Sequence, residues 1–597
     1  MSKRLLCLLL GLLMVLSVAF TGCSAQTDEE EMDDIAEEAS ESAMTLTMYL
    51  MSEEEVSKDQ ADKIEEAVNK ITKSKFKTRI VLRYFTEEQY YDALDKAFKE
   101  TKDAKKAAED AAKALKEAIK RGEVTSQTTT DPSQTTEEET EVNEYGVSTL
   151  KYPGVTDYQV DIFYVGGYEN FKRYNTGRYI KSVDDQLSGV AKSLYHYIAP
   201  EFLSIAKKAT EEAETYIIPN NRTVGEYTYL LLNKDLLTKY GRSKDEFENL
   251  TSQSLQDFMK EVKTYEAANY VPLESKTGDI DTVGIYYLGL DENNDLSHDF
   301  SILGSTQLEG NKYYEYTRAV TMDGGLADGF RNQVRTLISY KEQGYCDNPN
   351  NLPFAVGYVK GDAAEMIEQY SDEYEMVVVE RPVAETGDVF EHGFAVGYMT
   401  SSANRSMQII NYLNTNADFR NLLLYGIEGE NYEVVEKTVD GVVYKMANRL
   451  NYNYVMDENK TGNVILAYPL DIEGETAENI QKYNLKGDLP NIREYQKAQN
   501  RDIKTLIDAG YVPTDVDKEL MADLREESAE LKKLILECST VAEFDAMMEE
   551  LYDFYNNPGS ETAYNTARLL TDDSGSLAYS YQEWLKLQGI TINRTES

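Results

Sequence analysis

MTLTMYL (Met44–Leu50) and TRIVLRYF (Thr78–Phe85), with the segments that follow each, decide the fold. Both runs have the β-branched and aromatic makeup of strands. Between them, Glu53 to Thr72 carries Val56, Ile64, Ala67, Val68 and Ile71 at three- and four-residue spacing, the period of an amphipathic helix. Another helix starts at Glu87. Strand, helix, strand, helix is the opening of an α/β domain with a parallel sheet, because parallel neighbours need a long crossover and a helix supplies it.

Toward the N-terminus, residues 24–43 (SAQTDEEEMDDIAEEASESA) are acidic and nearly free of large apolar groups, so they cannot bury enough surface to order themselves. They read as part of a disordered acidic tether spanning 23–43. Ahead of it, MSKRLLCLLLGLLMVLSVAFTGC places Lys3 and Arg4 before an apolar core, Leu5 to Phe20, that is short for a bilayer span. Thr21-Gly22-Cys23 closes the segment and resembles the lipobox of bacterial lipoproteins, with Phe20 where that pattern usually has leucine. The resemblance implies a signal peptide over 1–22, cleavage before Cys23, and a diacylglyceryl group on Cys23 that anchors the chain to the membrane. An ordinary secretory peptide is the alternative. Either way the expected location is outside the cytoplasm, where nucleotide cofactors are not supplied and binding is the leading class of function.

The 597 residues are 41% hydrophobic and 11% aromatic, enough for more than one core. The formal charge of −45 becomes −47 when Lys3 and Arg4 leave with the leader. Nucleic acid is thereby an unfavourable partner, and adsorption to anionic lipid is opposed, so membrane attachment falls to the acyl anchor. Of four cysteines, Cys346 and Cys538 remain in the mature chain. No compact cysteine framework favours pairing them, and isolated thiols and a bridge both stay open.

Toward the C-terminus, the helix from Glu87 runs far through Ala, Lys and Glu to a stop at Gly122, which at ~1.5 Å per residue projects roughly 50 Å. Residues 123–143 form a polar Thr, Ser and Glu tract expected to be loose, so 100–150 is a helical and disordered insertion. It is a surface insertion or an arm that touches a partner. Val160–Val165 then reads as a buried strand ending in Gly166-Gly167-Tyr168. Glycines at the carboxyl end of a parallel strand let a ligand approach the backbone, and they also suit an ordinary strand-to-helix turn.

TYIIPNNRTVGEYTYLLLNKDLLTKYG (215–241) reads as two strands around a polar turn, the second running into a helix. This resembles the extracellular solute-binding proteins of ABC importers, family 1, the maltose-binding-protein-like group. The segment Leu232 to Leu237 and Lys239-Tyr240-Gly241 carry the match. FEHGFAVGYMTSSANR (390–405) and the helix after it are similar to that family's return segment. LLYGIEGENYEV (423–434) and Thr461-Gly462-Asn463 look like a lipoprotein subgroup of Gram-positive bacteria. The resemblance implies an α/β, two-lobe periplasmic-binding-protein-like fold with hinge crossovers and mostly parallel sheets flanked by helices. Lobe 1 would span 44–232, lobe 2 233–391, a return to lobe 1 392–428, and lobe 2 completion with C-terminal helices 429–597. It further implies capture of a carbohydrate, most often an oligosaccharide, between the lobes, and delivery to ABC permease subunits at the extracytoplasmic face of the cell membrane.

Sugars present apolar C–H faces and many hydroxyls, so their sites pair aromatic platforms with polar side chains. With 45 Tyr and one Trp, stacking falls to tyrosine. Strand-end position selects Glu53, Tyr168, and Asn220, Asn221 and Arg222 on the hairpin turn, with His392 and Tyr398 from the returning segment. Trp584 sits among apolar residues at helical spacing and reads as core. His196, His298 and His392 have no metal-ligand spacing, and no GxSxG elbow or Walker A loop occurs, while 106 acidic residues guarantee some carboxylate pairs by chance and leave glycoside hydrolysis open. DENNDLSHDF (291–300) starts like a calcium loop, but Leu296 replaces the glycine and Ile302 the closing glutamate. The expectation is a binding protein without cofactor or resident metal. A glycan-degrading or adhesive surface lipoprotein is the alternative, and a peptide or other solute stays open as ligand.

Overall fold

Met44–Ser52 (β1) is buried along almost its whole length, the signature of a central strand covered on both faces. The structure is a computed structural model. It describes residues 42–121, 140–142, 148–247, 253–274, 328–505 and 537–555, with short pieces at 289–313, 510–534 and 580–589. The leader, Cys23, residues 24–41, the tract 123–139, His298 and most of 291–302 lie outside the described residues. Among the described residues, no helix is long and apolar enough to cross a membrane.

After β1, Ser57 caps helix α1 (Lys58–Phe76) by accepting from the Gln60 N–H. The helix therefore begins later than the expected Glu53, and Ile64 and Val68 form its buried stripe. Next come β2 (Thr78–Thr86) and the long α2 (Glu87–Lys120). The end of the tract expected to be loose pairs instead, Thr140–Val142 with Ser148–Leu150. β3 (Ile162–Val165), α3 (Tyr168–Thr176), α4 (Pro200–Lys208) and the two-residue β4 (Ile218–Pro219) follow. The chain then builds β5 (Tyr227–Asn233), α5 (Lys234–Tyr240), β6 (Val271–Leu273), β7 (Phe354–Gly361), α6 (Ala363–Tyr370) and β8 (Tyr374–Glu380). It comes back through β9 (Val383–Ala384), α7 (Thr386–Glu391), β10 (Gly393–Val396), α8 (Ala403–Thr415) and α9 (Ala417–Tyr425). β11 (Tyr432–Val439), β12 (Val442–Arg449), α10 (Ile492–Asp502) and β13 (Lys504–Thr505) complete the labelled elements.

Two main sheets result, each flanked by helices. The first has strand order β2-β1-β3-β10-β4. β1 is parallel to β2 and β3, while β10 is antiparallel to β3 and to β4, so four strands share one direction. The second has order β8-β5-β7-β6, with β5 antiparallel to both β7 and β8. Alternation along β5 divides its core: Leu230 and Leu232 pack on one face, Tyr227, Tyr229 and Leu231 on the other.

The chain crosses between sheets at residues 220–226, and this corrects the sequence reading of 215–241. β4 and β5 are not a hairpin, because β4 pairs with β10 in the first sheet and β5 with β7 and β8 in the second. The boundary placed at 232 therefore falls inside a second-sheet strand. The return begins before 392, since Ala384, Val389 and Phe390 already belong to the first core. Residues from 429 onward are not all second-lobe material either: Tyr432, Ala447, Tyr454, Met456 and Ala467 pack in that first core.

Gly225 is where two crossing segments touch. Its φ of +63° suits glycine, and a Cβ there would strike the Val383 backbone, whose nitrogen lies 2.7 Å from the Cβ position. Gln499 on α10 fastens the junction, its Nε2 donating to Val224 O (3.3 Å) and Gly225 O (2.9 Å) while its Oε1 accepts from the Ala363 N–H (3.0 Å). β9 pairs in parallel with β13 beside it. Cys346 and Cys538 are both free thiols. Trp584 is half-buried and meets Tyr511 edge-on at 5.6 Å.

Candidate functional site

Four strands running one way deliver four carboxyl ends to one edge of the first sheet, and the antiparallel β10 brings its amino end there. The edge collects Glu53 after β1, Glu87 after β2, Gly166 after β3, Asn220 after β4 and His392 before β10. Two crossings to the second sheet leave from or arrive at this rim, at Asn220 and through α7.

Tyr164, the penultimate residue of β3, sits at its centre. Its hydroxyl lies 2.6 Å from His392 Nδ1, and the two rings stack with centroids 6.1 Å apart. Glu391 Oε1 stands 3.8 Å from His392 Nε2, which favours the proton on Nε2 and leaves Nδ1 to accept from the phenol. Burial is the main cause that drives the His392 pKa down to about 4, with Arg222 and Lys460 adding to it against Glu391. Burial likewise holds the Tyr164 phenol far above its ordinary value. The pair is neutral at physiological pH. Beside it, the Tyr91 hydroxyl donates to Gly166 O and accepts from the Gly166 N–H, both at 3.1 Å. Gly167, at φ +85°, turns the chain into α3 and donates to Phe390 O (2.8 Å).

Charged groups flank this centre on both sides. Arg222 pairs with Glu391 and donates to Asp388 O (3.2 Å). Burial raises the Asp388 carboxyl to about 6. Across the rim, Lys460 Nζ lies 3.2 Å from Glu53, 3.4 Å from Glu87 and 4.0 Å from Asp457.

The loop bearing Lys460 is built from the core outward. Arg420 on α9 is fully buried; its Nε donates to Asn463 O (3.1 Å) and its Nη2 to Glu458 O (2.6 Å). Burial lowers its pKa to about 10. Arg493 on α10 adds an ion pair to Glu458 (2.9 Å) and a bond to Ala467 O (2.9 Å). Asn463 caps the 3₁₀ turn Val464–Leu466 by accepting from the Ile465 N–H, and its Nδ2 donates to Asn414 O.

The structure brings Glu53, Asn220, Arg222 and His392 to one rim. Asn220 is buried there, donating through Nδ2 to Asn459 O (2.7 Å) and through its backbone to His392 O (2.9 Å). Tyr168 stands next to the rim with its ring packed edge-on against Phe390 at 5.1 Å, part of the core's margin rather than an open platform. Asn221 is turned inward: it is buried, its Oδ1 accepts from Ala199 N and Asn500 Nδ2, and its Nδ2 donates to Asn463 Oδ1. Tyr398 is at the opposite edge. β10 runs from His392 toward Gly397, which bonds to Asp161 at the start of β3, so residues after β10 leave the rim behind. Tyr91, Tyr164, Asp388, Glu391 and Asp457–Lys460 were not selected from sequence. Tyr164 carried a signal, as the last aromatic before Gly166-Gly167, whereas Lys460 stands 407 positions from Glu53.

Among the described residues no group of three or more His, Cys, Asp or Glu side chains is placed to hold a metal ion. A separate hollow of about 400 Å³ on the second sheet is lined by Asp235, Lys239, Glu266 and Tyr270, at the edge away from the crossings.

No family model matches the chain, and no curated protein sequence does. Solved structures similar to it include the N-glycan transport solute binding protein NgtS from Streptococcus pneumoniae, at 17% identity and a TM-score of 0.45, covering 91% of this chain and 99% of that one. An HMO-binding, ABC-transporter-associated solute binding protein from Bifidobacterium longum infantis gives 11% identity and a TM-score of 0.40, covering 92% and 100%. An extracellular solute-binding protein family 1 member from Alicyclobacillus acidocaldarius gives 11% and 0.37, covering 87% and 100%.

Proposed function

We propose that the chain is a lipid-anchored, extracytoplasmic substrate-binding protein of an ABC importer of the solute-binding family 1 type, which captures a carbohydrate at the rim and presents it to a membrane permease. The observation that carries this reading is the meeting of four parallel strand ends with the crossings to a second sheet. Closure of the second body over the rim would add ligand contacts that exist in one state only, and such differential contacts let a ligand shift a two-state equilibrium. The side chains suit polyols. Tyr91, half-buried, offers an aromatic edge, and Glu53, Glu87 and Asp457 offer hydroxyl acceptors. His392, held neutral and committed to Tyr164, is a hydrogen-bonding group and not a base aimed at a nucleophile. Cys23 would carry the anchor.

Thermal melting of the mature chain against neutral oligosaccharides tests the reading, with product analysis on the same samples. A ligand at 100 times its Kd is expected to stabilise by about 2.7 kcal/mol without any cleavage, and the radius of gyration should fall. Absence of any stabilisation across the panel, or turnover of the sugar, refutes it.

A further inference from the structure

We propose that the rim accepts uncharged, hydroxyl-rich ligands and turns anionic ones away, with Lys460 serving as a clamp on carboxylates and not as an anion-binding cation. This rests on the carbohydrate reading above and narrows it to a chemical class. Among the described residues of these ion pairs, five carboxylates, Glu53, Glu87, Asp388, Glu391 and Asp457, stand with two cations, Arg222 and Lys460, a formal excess of three negative charges. Both cations are committed, Arg222 to Glu391 and Lys460 to three carboxylates from three different elements. Exposure decides which groups a ligand meets: the Lys460 side chain is 14% exposed, against 41% for Glu53 and 75% for Glu87. The lysine side chain is the more covered and the two glutamate side chains the more exposed.

A carboxylate accepts hydrogen bonds and cannot donate them, so the array matches sugar O–H groups. A uronate, sialate or sulfate brings acceptors and like charge to the same place, which is unfavourable on both counts. His392 supplies no compensating positive charge, being neutral down to about pH 4. The chain's formal charge of −45 adds long-range repulsion during approach.

Calorimetry of the mature chain with matched tetrasaccharides, neutral manno-, malto- and chito-series against tetragalacturonate, tests the inference alongside a glycan array bearing neutral and sialylated sugars. Neutral ligands are expected to bind about 100-fold tighter than any anionic one at low salt, with the gap narrowing as salt rises. In E53Q/E87Q, whose substitutions are at exposed side chains, the gap should shrink about tenfold because Lys460 is released toward the ligand. K460M should weaken the neutral ligand about tenfold. Equal binding of both classes, or loss of anionic binding alone in K460M, overturns the inference and leaves carbohydrate capture standing. No sugar bound by either assay overturns both.

Discussion

The two sheets deal differently with their strand ends. In the first, β1, β2, β3 and β4 run one way, so the loops following these four strands fall on one edge, and that edge gathers ionisable and hydroxyl groups. In the second, β5 opposes β7 and β8, and the loops are shared between two edges. At its crossing edge the second sheet presents groups already satisfied within the fold: the Tyr227 hydroxyl donates to Asp502 (2.9 Å), and the Ala363 N–H donates to Gln499. Strand direction thus decides where chemistry accumulates. The sharpest way to break the contrast is to remove what holds the first edge's polar loop.

Arg420→Met should do so with the largest effect. The guanidinium is fully buried and donates to Asn463 O and Glu458 O, so its removal leaves both carbonyls without that donor. Leaving buried carbonyls without their donor costs about 1–3 kcal/mol each. Urea denaturation should show that loss, and ligand stabilisation should vanish, because Lys460 loses its position. Unchanged binding in a folded Arg420→Met protein would mean that the 457–463 loop is not part of the rim's function.

Acidification sharpens the comparison at the next level. His392 has a folded pKa of about 4 against about 6.5 unfolded, so between those values the unfolded chain binds more protons and stability falls as pH falls. Asp388, raised to about 6, acts in the opposite sense: the folded chain holds the extra proton, and stability falls as pH rises between its ordinary value and 6. The two rim groups oppose each other over most of the same window. His392→Gln leaves Asp388 unopposed and should flatten or reverse the acid loss by about 3 kcal/mol between pH 7 and pH 4. Parallel stability curves for the two proteins in urea would remove His392 from this account.

The contrast also explains what could be read in advance. The α/β opening was legible because Met44–Ser52, a buried strand, and Thr78–Thr86, an edge strand alternating buried and half-buried residues, have a composition independent of distant partners. The return strand and its helix were legible for the same reason. Asn221 misled because a polar pair after a strand has the same appearance whether it faces a ligand or, as here, bonds inward to Ala199 and Asn463. β4 and β5 looked like a hairpin since proximity in sequence says nothing about which sheet a strand joins. Lys460 was illegible: its three acidic partners come from the end of β1, the start of α2 and its own loop, and only the folded chain assembles them.

Tyr398 provides the smallest effect and the cleanest check on strand direction. It follows β10 as His392 precedes it, and with four strand residues between Gly393 and Val396 the two ends are separated by roughly 13 Å of extended chain. The antiparallel register, Gly393 opposite Val165 and Val396 opposite Ile162, puts His392 at the carboxyl edge of β3 and Tyr398 at the amino edge. That amino edge is sealed by Asp161, which accepts from Thr47 N, Thr400 Oγ1 and Ser401 N. The Tyr398 ring is half exposed, with Lys105 over it at 5.7 Å, a pairing of surface groups worth about 0.5–1 kcal/mol at most. Tyr398→Ala should therefore change ligand affinity by less than about twofold and stability by less than about 1 kcal/mol. A tenfold loss of affinity in calorimetry would mean that ligand reaches the amino edge of the sheet, and the rim as drawn from strand direction would have to be abandoned.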